Sequence, residues 1–149
     1  SLAEVTHALA IHGNYFGDQE IEFLSRHSNI AVVYCPRTHA YFRHSPHPWE
    51  QLVTDGATVI LGTDGRSSNP DLSIWKELQA AAQLTNRPIW ELLPMITTTA
   101  AAAIGFPTAD FVIRPDAVFN GTLVKCAAGT EMELSQRLKV SHELVRWPR

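Results

Sequence analysis

The sequence predicts an α/β fold on a parallel sheet, and three short apolar runs carry that prediction. Ala8 to His12 (ALAIH), Asn29 to Cys35 (NIAVVYC) and Ala57 to Leu61 (ATVIL) each read as a buried strand, with helix-like segments between them. Strand and helix alternating at this spacing give right-handed βαβ units. Continuous apolar strands also suit a sheet covered on both faces better than one with a wet face.

Taken in order, Asp18 to His27 (DQEIEFLSRH) predicts a helix with Ile21, Leu24 and Phe23 inward and Asp18 and Glu20 in its first turn. Pro36 ends the second run. Arg37 to Pro48 reads as a loop dense in His, Arg and aromatic residues. Trp49 to Thr54 makes a helical turn, stopped by Asp55 and Gly56. Leu72 to Leu84 is an amphipathic helix with Leu72, Trp75, Leu78 and Ala82 along one stripe. Pro88 starts a second helical region, which Gly105 and Pro107 close. Ala109 to Ile113 (ADFVI) reads as a strand; beyond Ala117 the pattern weakens to a strand at Thr122 to Cys126 and a helix at Glu131 to Leu138.

With 149 residues, 45 % of them apolar, the chain has the length of one ordinary domain. A net charge of −3 gives no basic footprint for nucleic acid. No run approaches the roughly 18 apolar residues of a membrane span, and no signal peptide is visible. Two cysteines, Cys35 and Cys126, are too few for a disulfide framework, so a cytoplasmic location with reduced thiols is expected. A first residue that is Ser, opening almost directly into a strand, suggests a piece of something longer.

The chemistry lies at the strand ends. The third run stops at Gly62 and delivers Thr63 and Asp64 to a polar loop, Gly65 to Asn69. His12 follows the first run, and Tyr34 with Cys35 closes the second. Ligands of parallel sheets bind at the carboxyl ends of strands. A lone strand-end Asp often caps its own loop. His12 and Asp64 on neighbouring strands, beside a His/Arg-rich loop, favour a site. An imidazole and a carboxylate suit a divalent metal such as zinc, and an Asp there can take a proton from water. Catalytic metals usually have three protein ligands, and the sequence has no HxH, HExxH or CxxC pair to complete a set. His44 and His47, flanking Pro46, read as solvated, and His7, His27 and His142 as surface or core histidines.

Residues 5 to 113 resemble the C-terminal barrel half of the amidohydrolase superfamily, in the aminohydrolase and chlorohydrolase branch that includes guanine, cytosine and S-adenosylhomocysteine deaminases. The landmarks are a strand-end His followed by a small residue (His12, Gly13), a strand ending in CP (Cys35, Pro36), and GTDG with SN after it (Gly62 to Asn69). ADFVI resembles the return into the family's small β-domain. The resemblance implies the C-terminal part of a (β/α)8 TIM-type barrel, about strands six to eight, over residues 1–106, with a C-terminal β-segment over 107–149. It implies a hydrolase acting on non-peptide C–N bonds of amidine or amide type, or on related C–Cl bonds, through water activated by zinc or another divalent metal such as iron. Asp64 would be the metal-associated aspartate that shuttles protons, and His12 the histidine that contacts the metal or orients its water.

The departures bear on the substrate. The family's strand seven reads HCPxSN; here Tyr34 replaces the His, and Arg37, Thr38 and His39 replace the segment carrying SN. Tyr34, Arg37, His39, Arg66 and Asn69 form the candidate substrate-binding set, for a small polar or anionic substrate, with homo-oligomerisation left open. The barrel's HxH and strand-five His have no counterpart here, so the isolated chain is expected to bind zinc weakly and catalyse nothing measurable. A non-catalytic, truncated α/β module binding a small polar ligand at the same strand edge is the alternative. An anion-binding loop at GTDGRSSN lacks the GxxxxGK[ST] arrangement and carries little weight.

Overall fold

A computed structural model describes residues 4–117, 121–140 and 144–146. Three parallel strands, β1 (Ala8–Ile11), β2 (Ile30–Tyr34) and β3 (Thr58–Leu61), form a sheet in the order β1-β2-β3. Ala10 sits opposite Val32, and Val32 opposite Val59. Every residue of β2 is buried, as a central parallel strand requires.

Alternation along the strands divides the core in two. Ile30, Val32, Tyr34, Val59 and Leu61 face the helices, packing with Ile21, Leu24, Trp49, Leu52, Leu78, Ala81 and Ala82. Ala31, Val33, Cys35 and Ile60 face the other side, where Ala100 and Ala103 reach them. On β1, Leu9 and Ile11 share that second side and are 43 % and 54 % exposed. That apolar edge is left uncovered by the described residues.

The helices are α1 (Asp18–Ser25), α2 (Pro36–Phe42), α3 (Trp49–Thr54), α4 (Ile74–Gln83), α5 (Ile89–Leu92), α6 (Thr98–Ala103) and α7 (Glu131–Leu138). In α1, Ile21 and Leu24 are inward as expected, but Phe23 is exposed and stacks on His27. α2 overturns the expected loop. Pro36 occupies its first turn, where a fixed φ and a missing N–H cost nothing, and Arg43 ends it in the left-handed region. α4 begins after Ser73, whose hydroxyl accepts from the Lys76 N–H at 3.4 Å. Leu72 therefore lies outside the helix, exposed and left-handed at φ 51°, while Glu77 and Gln79 join Leu78, Ala81 and Ala82 among its buried residues.

The region after Pro88 is broken into α5, a 3-10 turn at Leu93–Ile96 and α6, with Pro94 in the turn. The strand expected at Ala109 to Ile113 is also overturned. Thr108–Phe111 forms a 3-10 turn, Ile113 is 87 % exposed, and no described strand pairs with it. β4 (Thr122–Val124) pairs antiparallel with β5 (Leu144–Arg146), and α7 lies where its periodicity placed it, capped by Thr130. It docks on the body of the chain by the Ile89 N–H donating to Ser135 Oγ at 3.2 Å and Gln79 Nε2 donating to the Leu138 carbonyl at 2.9 Å. No helix among the described residues is long and apolar enough to cross a membrane.

Candidate active site

The ladder continues one step past the strands: the His12 N–H donates to the Val33 carbonyl and the Gly62 N–H to the Tyr34 carbonyl, both at 2.9 Å. The chain then turns sharply. His12 (φ 68°) and Asp64 (φ 54°) both adopt the left-handed conformation that side-chain-bearing residues rarely take. Such strain persists where the surroundings enforce it, and it concentrates at functional sites. β1 and β3 flank β2 rather than each other. The two residues are therefore not on neighbouring strands, and their backbones leave the sheet two strand spacings, about 10 Å, apart. Gly62 makes the approach of β3 possible, since a Cβ there would lie 2.6 Å from Val33 Cγ1 and 3.3 Å from Cys35 Sγ.

His12 is held by a residue the sequence hid. His47 is buried, and its Nε2–H donates to the His12 carbonyl at 2.6 Å, overturning the solvated reading. A carbonyl can only accept, so Nε2 carries the proton. Burial pulls the His47 pKa down, which keeps the ring neutral. His44 pairs with the Tyr15 hydroxyl at 2.8 Å. Among the remaining histidines, His7 is exposed, His27 stacks on Phe23, and His142 lies outside the described residues.

Asp64 is exposed, and its carboxylate is fixed from one side: Ser68 Oγ donates to Oδ2 at 2.9 Å. Ser68 in turn lies 3.0 Å from Thr38 Oγ1 on α2. Behind them Asn69 Nδ2 donates to the Thr63 carbonyl at 2.8 Å and to Glu77 Oε1 at 2.5 Å, while Glu77 Oε2 accepts from the Arg37 N–H at 3.0 Å. Glu77 is 0 % exposed, and burial raises its pKa against the pull of the Arg37 N–H and Asn69. One carboxylate thus ties the start of α2 to the loop after β3. Nothing in the helical pattern of α4 separates Glu77 from a solvated face; only the fold shows it.

The candidate substrate-binding residues are placed unevenly. The Arg37 guanidinium donates to Asp71 Oδ1 at 2.7 Å and lies 3.6 Å from Glu77 Oε1. With Lys76 it holds the Asp71 carboxyl well below the usual carboxylate range. Asn69 is buried in its two hydrogen bonds. Tyr34 is 2 % exposed, 4.3 Å in ring centroid from His47, and burial first, then Glu77 and Cys35, push its hydroxyl to about 12. His39 is half-buried, with Nδ1 3.2 Å from Asn14 Oδ1 and its pKa lowered by burial. Arg66 is exposed and donates to the Pro70 carbonyl at 3.3 Å.

Among the described residues no group of three or more His, Cys, Asp or Glu side chains could hold a metal. His12 and Asp64 have the donor chemistry zinc takes, an imidazole and a carboxylate, and they fit as two members of a larger set. Cys35 does not join them. Its thiol, buried under the Gly62–Asp64 backbone, is raised to about 11, first by burial and then by the Asp64 and Glu77 charges. At pH 8 such a thiol is about 0.1 % thiolate, so Cys35 is expected to resist iodoacetamide while the half-exposed Cys126 reacts. Peptide mapping after native alkylation checks this; equal labelling at both would contradict the burial of Cys35.

Comparison with known proteins adds what the geometry leaves open. Residues 1–109 match the amidohydrolase family. The chain belongs to that family. It is 33 % identical over 114 residues to a 5-methylthioadenosine/S-adenosylhomocysteine deaminase of Halobacterium salinarum, covering 71 % of this chain and 26 % of the relative. It is 33 % identical over 108 residues to a 5'-deoxyadenosine deaminase of Methanoregula boonei, covering 66 % and 24 %. An adenosine deaminase from Xanthomonas campestris with bound zinc superposes at a TM-score of 0.60, with 26 % identity over 66 % of this chain and 24 % of that one. An atrazine chlorohydrolase from Arthrobacter aurescens, complexed with zinc and atraton, shares the fold at a TM-score of 0.59. The α/β fold is thus that of amidohydrolase deaminases, and amidohydrolase neighbours bind a divalent metal. The chain spans about a quarter of the length of the curated relatives it matches.

Proposed function

We propose that this chain forms strands six to eight of an amidohydrolase barrel, with residues 107–149 as its C-terminal β-segment, and that the full-length protein is a metal-dependent deaminase. The single observation that carries the reading is the pair His12 and Asp64. Both are bent into left-handed conformations at the carboxyl lip of the sheet, and Oδ1 of Asp64 has no protein partner among the described residues. The exposed apolar side of Leu9 and Ile11 supports it, since a closed barrel would cover that side.

Zinc, when bound, lowers the pKa of water toward neutrality. The chain's own residues do the rest. Asp64 accepts a proton from the attacking water and passes it to the departing amine, so that a C–N bond breaks, a C–O bond forms and ammonia leaves. His12 binds or orients at the same centre, its backbone held by His47. Arg66, exposed and bonded only to the Pro70 carbonyl, is placed to meet a small polar substrate, whereas His39 has Nδ1 on Asn14 and Nε2 buried. Arg37, with its charge taken by Asp71 and Glu77, shapes the loop before α4 and does not serve as the anchor of an anionic substrate.

Ammonia release by the zinc-loaded full-length protein from adenosine, 5'-methylthioadenosine and S-adenosylhomocysteine tests the reading. Release that disappears on chelation and returns with zinc is expected. No release from any amino-bearing purine or pyrimidine would contradict it.

A further inference from the structure

The hydroxyls of Thr38 and Ser68 stand in line with the Asp64 carboxylate, and their hydrogen count fixes the direction of the line. A carboxylate and a carbonyl only accept, so the single Ser68 hydroxyl proton goes to Asp64 Oδ2 at 2.9 Å, the nearer of its two acceptors, with the Gly65 carbonyl at 3.4 Å. Ser68 Oγ is then left as an acceptor toward Thr38 Oγ1, 3.0 Å away, and Thr38 must donate. Thr38 and Ser68 are both buried, and they come from different elements, Thr38 from helix α2 after β2 and Ser68 from the loop after β3. The line ends on one oxygen of Asp64 and leaves the other open.

We propose that Thr38 and Ser68 are positioning residues that commit Oδ2 of Asp64 and present Oδ1 alone to the metal. The proposal rests on the reading of Asp64 as a metal ligand. Hydrogen-bonded partners of this kind orient a ligand and typically account for 10- to 100-fold in metal affinity or activity. Ser68 is the closer partner. Thr38 acts through it, by holding its hydroxyl in the donating orientation.

Zinc affinity of the metal-free full-length protein, measured by competition with a chromophoric chelator, tests this without reference to turnover. Ser68→Ala is expected to weaken zinc binding about 10- to 100-fold. Thr38→Val, which keeps the side-chain shape, is expected to weaken it by a smaller factor, and Thr38→Ser to bind as the parent does. A merely structural role would instead lower the melting temperature of the metal-free protein in step with affinity. Asp64→Ala separates the two layers. If it loses zinc while Ser68→Ala and Thr38→Val do not, the line of hydroxyls is refuted and the Asp64 reading stands. Unchanged binding in Asp64→Ala refutes both.

Discussion

Replacing Asp64 with asparagine in the full-length protein is expected to lower kcat about 10²- to 10⁴-fold, the usual contribution of a positioned acid–base group. Asn keeps the size of the side chain and can still accept from Ser68, so the loop should hold its shape. It cannot take up the water proton. The left-handed backbone at Asp64 is also well tolerated by Asn, which makes this substitution cleaner than alanine. Steady-state ammonia release reads the loss, and a thermal melt confirms the fold. Activity within a factor of three of the parent would remove Asp64 from the chemistry.

Glu77→Ala is expected to have the largest effect on stability. It leaves one N–H of the Asn69 amide and the Arg37 N–H without their acceptor, at about 1–3 kcal/mol for each unpaired group. A total loss of about 2–6 kcal/mol corresponds to a melting temperature lower by roughly 5–20 °C. With Asn69 no longer anchored by Glu77, the Thr63 carbonyl it holds and hence Asp64 should also move, so activity should fall with stability. The sign of the pH dependence follows from the raised Glu77 pKa. The native state holds this proton more tightly than the unfolded chain, so this residue's share of stability grows as pH falls through the raised value toward the ordinary carboxyl range. Glu77→Ala should abolish that share. A melting temperature within two degrees of the parent would contradict the role given to Glu77.

The parts of the fold that could be read from the sequence are those with a one-dimensional signature. β2 and β3 are continuous apolar runs, and α7 pairs a Thr cap with acids in its first turn. The strand ends followed from the same runs, so the positions of His12 and Asp64 just past β1 and β3 could be read in advance. The parts that could not be read depend on what lies across from a residue. α2 has no apolar stripe and is fixed by Pro36 at its start and by Thr38 packing inward. ADFVI has strand composition but nothing described to pair with. His47 sits between two prolines, as a surface residue would, yet Tyr34 and the His12 carbonyl enclose it. Glu77, Asn69, Ser68 and Thr38 form their network only once the loop after β3 meets helices α2 and α4, and no spacing in the chain foretells it.

The central claim, that the strand-end pair is a metal and proton-transfer centre, is tested most directly by a crystal structure of the zinc-loaded full-length protein with anomalous data at the zinc edge. The account predicts a zinc peak in contact with Oδ1 of Asp64, with Ser68 on Oδ2 and the His12 imidazole in the metal's shell or one hydrogen bond from it. A stoichiometric zinc bound elsewhere, with both Asp64 oxygens in solvent, would contradict it.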